Sequence, residues 1–286
     1  MSFIYAEKYC DPVSNSESVR ILCDTKVSLN EYSSINISKE GYDLISKYGL
    51  VKSTIVCPEL CISFAGNNIA YAAKLLNRLF DLRSFEVEDV SKYALEIHRE
   101  TANQNEIEFI ITYISSGKTH IDCIKNGIVS RDHQLAHIGS VDAFKDFQRM
   151  RIGASVKTEQ AFLDTVNGCS DDSVGGRVIE VKYNHNDNSF VYNWKRGFCS
   201  SKLHTVVQGE TIKFYNSVED GGYSYEVDQI DIGNVLYDID QMMPAILYSR
   251  KYRINLEDIN NPNLTGLMLP MLVVINDNGE MLLYRQ

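Results

Sequence analysis

The fold turns on the stretch Ile55-Val56-Cys57-Pro58-Glu59-Leu60-Cys61-Ile62-Ser63-Phe64-Ala65-Gly66-Asn67. Residues 55–64 read as an apolar strand with Pro58 at a turn within it, since proline cannot donate to an interior ladder. Ala65-Gly66-Asn67 then breaks the chain. The period changes at once: Ile69, Ala72, Ala73, Leu76 and Leu79 recur at three and four, which predicts a helix over 69–82. A strand that passes through a glycine turn into an amphipathic helix needs further layers of sheet and helix to cover both.

The same alternation extends outward. Upstream, 2–10 and 19–24 read as strands joined by the polar turn Asp11-Pro-Val-Ser-Asn-Ser-Glu-Ser18, a hairpin with an enlarged tip. Downstream, 88–103 is a second helix with Val90, Tyr93, Ala94 and Ile97 on one face. Strands follow at 106–115, 120–125 and 135–139, separated by Ser-Ser-Gly-Lys and Asn-Gly turns. Helices return at 141–150 and 158–167, and 177–183 with 189–194 form a hairpin around 184–188. Sheets in sequence separated by helix pairs predict an α+β layered sandwich, with helices packed outside two sheets. Residues 195–286 continue as short strands, including a hairpin over 271–284 that turns at Asp277-Asn278-Gly279. The chain thus divides softly into a core, 1–195, and a mostly β C-terminal extension, 196–286, packed on the core or continuing it.

Composition bounds the function classes. Of 286 residues, 44% are hydrophobic and 23% charged, enough apolar material for a real core. Twenty-eight basic against 38 acidic residues give a net charge of −10, against binding of nucleic acid or anionic membranes. The longest apolar stretches run to about ten residues, short of the roughly 30 Å of a bilayer core. The start, Met-Ser-Phe-Ile-Tyr-Ala-Glu-Lys, shows no signal-peptide pattern. Seven cysteines (10, 23, 57, 61, 123, 169 and 199) lack repeated CxxC spacing and read as reduced packing thiols of a cytoplasmic protein.

Five segments carry a resemblance: Ile21-Leu22-Cys23-Asp24-Thr25-Lys26, Lys52-Ser53-Thr54-Ile55-Val56, Ile62-Ser63-Phe64-Ala65-Gly66, His137-Ile138-Gly139-Ser140 and Asp171-Asp172-Ser173-Val174-Gly175-Gly176. In their order, their placement at strand ends and turns, and the thirteen residues from Lys52 to Ala65, the first 195 residues resemble proteasome β-subunits. These are N-terminal nucleophile (Ntn) hydrolases. The resemblance implies a four-layer α-β-β-α sandwich, peptide or amide substrates, no cofactor and assembly into a homo-oligomer.

It also implies a site. In such enzymes the first residue's side chain attacks a carbonyl while its own α-amine acts as base. Methionine is normally trimmed before a residue as small as serine, so Ser2 becomes the nucleophile once Met1 is removed. Lys52 lowers the α-amine pKa from its ordinary value of about 7.7–8.0. Asp24 orients Lys52, the Gly66 N–H serves the oxyanion, and Ser140 and Asp171 hold the N-terminus. The sequence departs from the family pattern at Ser2 (usually Thr), Lys26 (most often Arg), Val141 (usually Gly) and Val174 (usually Ser). A catalytically inactive scaffold or ring subunit, or a non-peptide amidase on the same fold, are the alternatives.

Plainer readings stand beside these. Asp24 alone reads as a turn cap and Lys52 as a solvated strand-edge charge. His133 and His137, four apart, would share one face of a helix and could bind a metal; entering a strand, as their context reads, they lie roughly 13 Å apart. Ser115-Ser-Gly-Lys118 reads as a hairpin turn rather than a phosphate loop. Asp228, Asp231, Asp238 and Asp240 read as a solvated strand face.

Overall fold

The computed structural model describes residues 2–12, 14–27, 49–81, 86–101, 107–153, 156–176, 178–186 and 188–193, followed by six separate strands between 204 and 284. The chain is mixed α+β. One antiparallel sheet joins β1 (Phe3–Cys10), β2 (Glu17–Asp24), β9 (Leu135–Gly139), β10 (Val178–Asn184) and β11 (Ser189–Asn193) in the order β11-β10-β2-β1-β9. The other runs in chain order through β4 (Ser53–Cys57), β5 (Leu60–Gly66), β6 (Ile107–Ser115), β7 (Lys118–Lys125) and β8 (Ile128–Ser130). Among the described residues four helices accompany them: α1 (Ala70–Asp81), α2 (Val90–Glu100), α3 (Val141–Gly153) and α4 (Thr158–Gly168).

Both faces of the central strands β5 and β6 are buried, which is why they read as near-continuous apolar runs. In β5, Ile62 and Phe64 pack with Ala72, Leu76 and Leu79 of α1 and Ala94 and Ile97 of α2. Cys61 and Ala65, one step out of phase, meet Ile4, Ile21 and Ile138 of the other sheet. Phe3 and Tyr5 of β1 turn the opposite way, toward Phe147 of α3 and Phe162 of α4. Phe3 stacks on Phe162 with ring centroids 4.6 Å apart. Burying a side chain of this size stabilises by about 1.5–3 kcal/mol. Helices therefore flank each sheet, and the sheets share a core between them.

Residues 55–64 are not one strand: β4 and β5 form an antiparallel hairpin, with Ser53 opposite Ser63 and Cys57 opposite Leu60. The turn between them is only Pro58 and Glu59, both exposed, too short to stand out between the two apolar runs. Nor do the sheets follow one another simply along the chain. β9 leaves its sequence neighbour β8 and pairs with β1, Phe3 opposite Gly139, while β10 pairs with β2. The second helix is also shorter than 88–103, with a 3₁₀ turn over Val87–Asp89 ahead of it.

Ser116 and Gly117, at φ 50° and 72°, turn the β6–β7 hairpin, so the Ser115–Lys118 segment is a two-residue turn as read. Beyond 195, β12 (His204–Gln208), β13 (Thr211–Tyr215) and β14 (Ser224–Val227) form one sheet. β15 (Ala245–Ser249), β16 (Leu272–Ile275) and β17 (Met281–Tyr284) form another, which takes in β3 (Leu50–Val51) by parallel pairing with β15. β16 and β17 pair as the expected hairpin, Ile275 opposite Met281. The turn at 277–279 and the four aspartates 228, 231, 238 and 240 lie outside the described residues. Among the described residues, no helix is long and apolar enough to cross a membrane.

Candidate functional site

Asp24 ends β2 with its side chain fully buried. One carboxylate oxygen accepts two hydrogen bonds, from the Phe3 backbone N–H at 2.9 Å and from Lys52 Nζ at 2.8 Å. The other accepts from the Gly175 N–H at 3.2 Å. Burial raises the carboxyl above the ordinary carboxylate range, and Lys52 with the two N–H groups offsets part of that rise. Lys52 is itself only 3% exposed and also donates to the Lys26 carbonyl. Its own carbonyl accepts from Phe64 N at 2.9 Å, tying it to β5. The solvated strand-edge reading of Lys52 and the turn-cap reading of Asp24 are therefore corrected: the two form a buried ion pair. The amide it holds is the one that follows Ser2.

Ser2 is buried too, at 5% exposure, and its carbonyl accepts from Ser140 N at 2.7 Å. Ser140 sits at the entry to α3, where its Oγ accepts from Ala143 N at 3.2 Å, the bond of an N-cap serine. The same hydroxyl donates to Asp171 at 2.5 Å. Partial burial alone would raise the Asp171 carboxyl, but hydrogen bonds from Ser140 and Ser173 outweigh it and hold it below the ordinary value. Ser140 thus links Ser2, Asp171 and the helix.

Gly66 closes β5 and lines a cleft of about 270 Å³ with Ala65, Gly139, Val141, Glu108 and Lys125. Gly139 belongs to both features, since it lines the cleft and lies opposite Phe3 on β9. Of the six residues expected to share a site, Asp24 and Lys52 meet directly, Ser2 joins them through the Phe3 amide, and Ser140 and Asp171 join through Ser2's carbonyl. Gly66 shares the cleft lining with Gly139, the residue opposite Phe3.

Three contributors escaped the sequence reading. Ser173, not residue 174, gives Asp171 a hydroxyl and an N–H, the latter at 2.9 Å. Val174 is instead buried against Phe3 and Phe162. Gly175 donates to Asp24 and its carbonyl accepts from Lys26 N at 3.0 Å. Glu108 accepts from Gly139 N at 2.8 Å. Burial raises the Glu108 carboxyl, opposed by the Gly139 N–H and the Lys125 charge. An acidic residue within Ile107-Glu108-Phe109-Ile110-Ile111 was the available signal, because a carboxylate in a buried strand needs a partner.

Other candidates have different surroundings. The thiols of Cys23 and Cys123 are pushed up to about 11 by burial, so they stay protonated at neutral pH. Among the described residues, no group of three or more His, Cys, Asp or Glu is placed to hold a metal ion. His137 stacks on Phe144 at 3.6 Å, and burial, then the Lys125 charge, lowers its pKa from 6.5 to about 4. A histidine held neutral in the fold and protonated when unfolded leaves stability intact above pH 6.5 and erodes it as pH falls toward 4. The wild type is expected to lose more denaturation midpoint between pH 7 and 4.5 than His137→Phe, as urea titrations at both pH values would show.

No protein-family model matches the chain, and no curated protein matches it.

Proposed function

We propose that the chain is an Ntn hydrolase on the four-layer α-β-β-α sandwich of proteasome β-subunits, cleaving a peptide or amide bond through Ser2 after Met1 is removed. The observation that carries this reading is the Asp24 oxygen shared by the Lys52 ammonium and the amide that follows Ser2. A buried ammonium beside the first residue of the mature chain has a chemical use. It lowers the affinity of the Ser2 α-amine for a proton and brings it nearer neutrality, where a base is most effective.

The steps then balance. Ser2 Oγ attacks the carbonyl carbon, and its proton passes to the α-amine. The oxyanion is met by the Gly66 N–H. The carbon–nitrogen bond breaks, the departing nitrogen takes the proton from the α-ammonium, and the acyl group remains on Ser2 as an ester. Water, deprotonated by the same amine, hydrolyses that ester. Ser140 and Asp171 fix the Ser2 carbonyl, so that the nucleophile and the base, both on one residue, keep their orientation.

Intact-mass measurement with a hydroxyl-directed electrophile such as a β-lactone tests the reading. The expected result is a chain that has lost Met1 and takes up one adduct, mapped to Ser2 by peptide sequencing. A chain that keeps Met1, or takes no adduct at Ser2, overturns the reading and leaves the inactive scaffold.

A further inference from the structure

The cleft beside Gly66 and Gly139 holds two opposite charges that are not paired with one another. Glu108 and Lys125 both line it, together with Asn126, His137 and Val141. Their positions follow from register: Phe109 lies opposite Ile124, so the next residues along β6 and β7 are Glu108 and Lys125. One Glu108 oxygen, Oε2, is engaged by the Gly139 N–H. Among the described residues, no carboxylate lies within ion-pair distance of the Lys125 ammonium.

Opposite charges that face one cavity without closing on each other are complementary to a dipolar ligand, carboxylate toward Lys125 and ammonium toward Glu108. At about 270 Å³ the cleft is smaller than the roughly 300–1,000 Å³ of pockets for drug-sized ligands, so the ligand is small. The cleft also contains Gly66, and Gly139 lies against the Ser2 carbonyl.

We propose that this cleft binds a single α-amino acid zwitterion. Taken with the proposed hydrolase activity, on which this part rests, that amino acid is the leaving group, and the preferred substrate carries one residue with a free carboxylate after the scissile bond. When the bond breaks, the departing nitrogen takes one proton from the Ser2 α-ammonium and a second from water. It then faces Glu108 as an ammonium.

Titration calorimetry on the wild-type chain tests the site without any turnover. Glycine, L-alanine and L-leucine are compared with N-acetyl-L-alanine and L-alanine amide. At least one free amino acid is expected to bind, and its blocked forms at least about tenfold more weakly, since each lacks one charge-assisted contact. Lys125→Met is expected to weaken the free amino acid about 10- to 100-fold, whereas Lys125→Arg keeps it within a few-fold. Absence of binding by all three free amino acids, equal binding of the blocked forms, or indifference to Lys125→Met overturns the proposal. Binding of the amino acid without an adduct on Ser2 sinks the hydrolase and leaves the site. An adduct on Ser2 without amino-acid binding does the reverse.

Discussion

Lys52→Met is expected to slow acylation of Ser2 by about 10²–10⁴-fold, the range for losing a positioned acid–base function. It is also expected to destabilise the fold by about 3–5 kcal/mol, the cost of leaving one member of a buried ion pair alone. Asp24 has no exposed surface to rehydrate. Without the ammonium its carboxyl, already raised by burial, rises further, and only the Phe3 and Gly175 N–H groups still oppose that rise. Under the proposed mechanism, the α-amine of Ser2 returns toward its ordinary pKa of about 7.7–8.0 and is less free to act at neutral pH.

Stability and chemistry separate in the double variant. Lys52→Met with Asp24→Asn removes both charges and is expected to recover about 0.5–3 kcal/mol relative to the sum of the single effects. It recovers no acylation. Urea midpoints and the rate of adduct formation by intact mass read the two quantities independently. A single variant that labels within tenfold of wild type would show that the ion pair serves the fold alone.

What the sequence reveals of this molecule divides by range. Period and polarity are local, so β9 reads correctly to the residue at Leu135–Gly139, and α1 to within a residue at each end. Pairing is not local. Nothing in Leu135-Ala136-His137-Ile138-Gly139 says that this strand leaves β8 and joins β1, because the choice depends on where Phe3 and Glu108 lie in space. The Pro58–Glu59 turn fails for another reason: strands buried on both faces carry no polar alternation to mark where one ends.

The site divides in the same way. Asp24, Lys52, Ser140 and Asp171 are visible as residues of the right kind in the right order. Their meeting through Phe3 N and the Ser2 carbonyl is visible only in the fold. Ser173 was missed because the hydroxyl stands one residue before the position where the resemblance places it. Val174, at that position, is taken up by packing against Phe3.

Gly139→Ala is expected to cost more than about 4 kcal/mol, a loss in the range seen only when a specific structural feature is destroyed. Gly139 has φ +87°, and a methyl there would meet the Ser2 carbonyl oxygen at 1.8 Å and its carbon at 2.7 Å. Both are backbone atoms that no rotamer change can move aside. Either β9 withdraws from β1 or the Ser140 N–Ser2 O bond at 2.7 Å is lost, and each outcome frees the Ser2 carbonyl. Gly117→Ala supplies the control. Its φ of +72° carries the same left-handed penalty of about 1–2 kcal/mol, but nothing lies within 4 Å of the added methyl. Urea titration of the two variants subtracts conformation from close approach. Amide exchange at Ser140 is expected to accelerate in Gly139→Ala and to stay unchanged in Gly117→Ala. Equal destabilisation of the two would mean that β9 does not press its backbone against Ser2. The path from Asp171 through Ser140 to the Ser2 carbonyl would then be open rather than held.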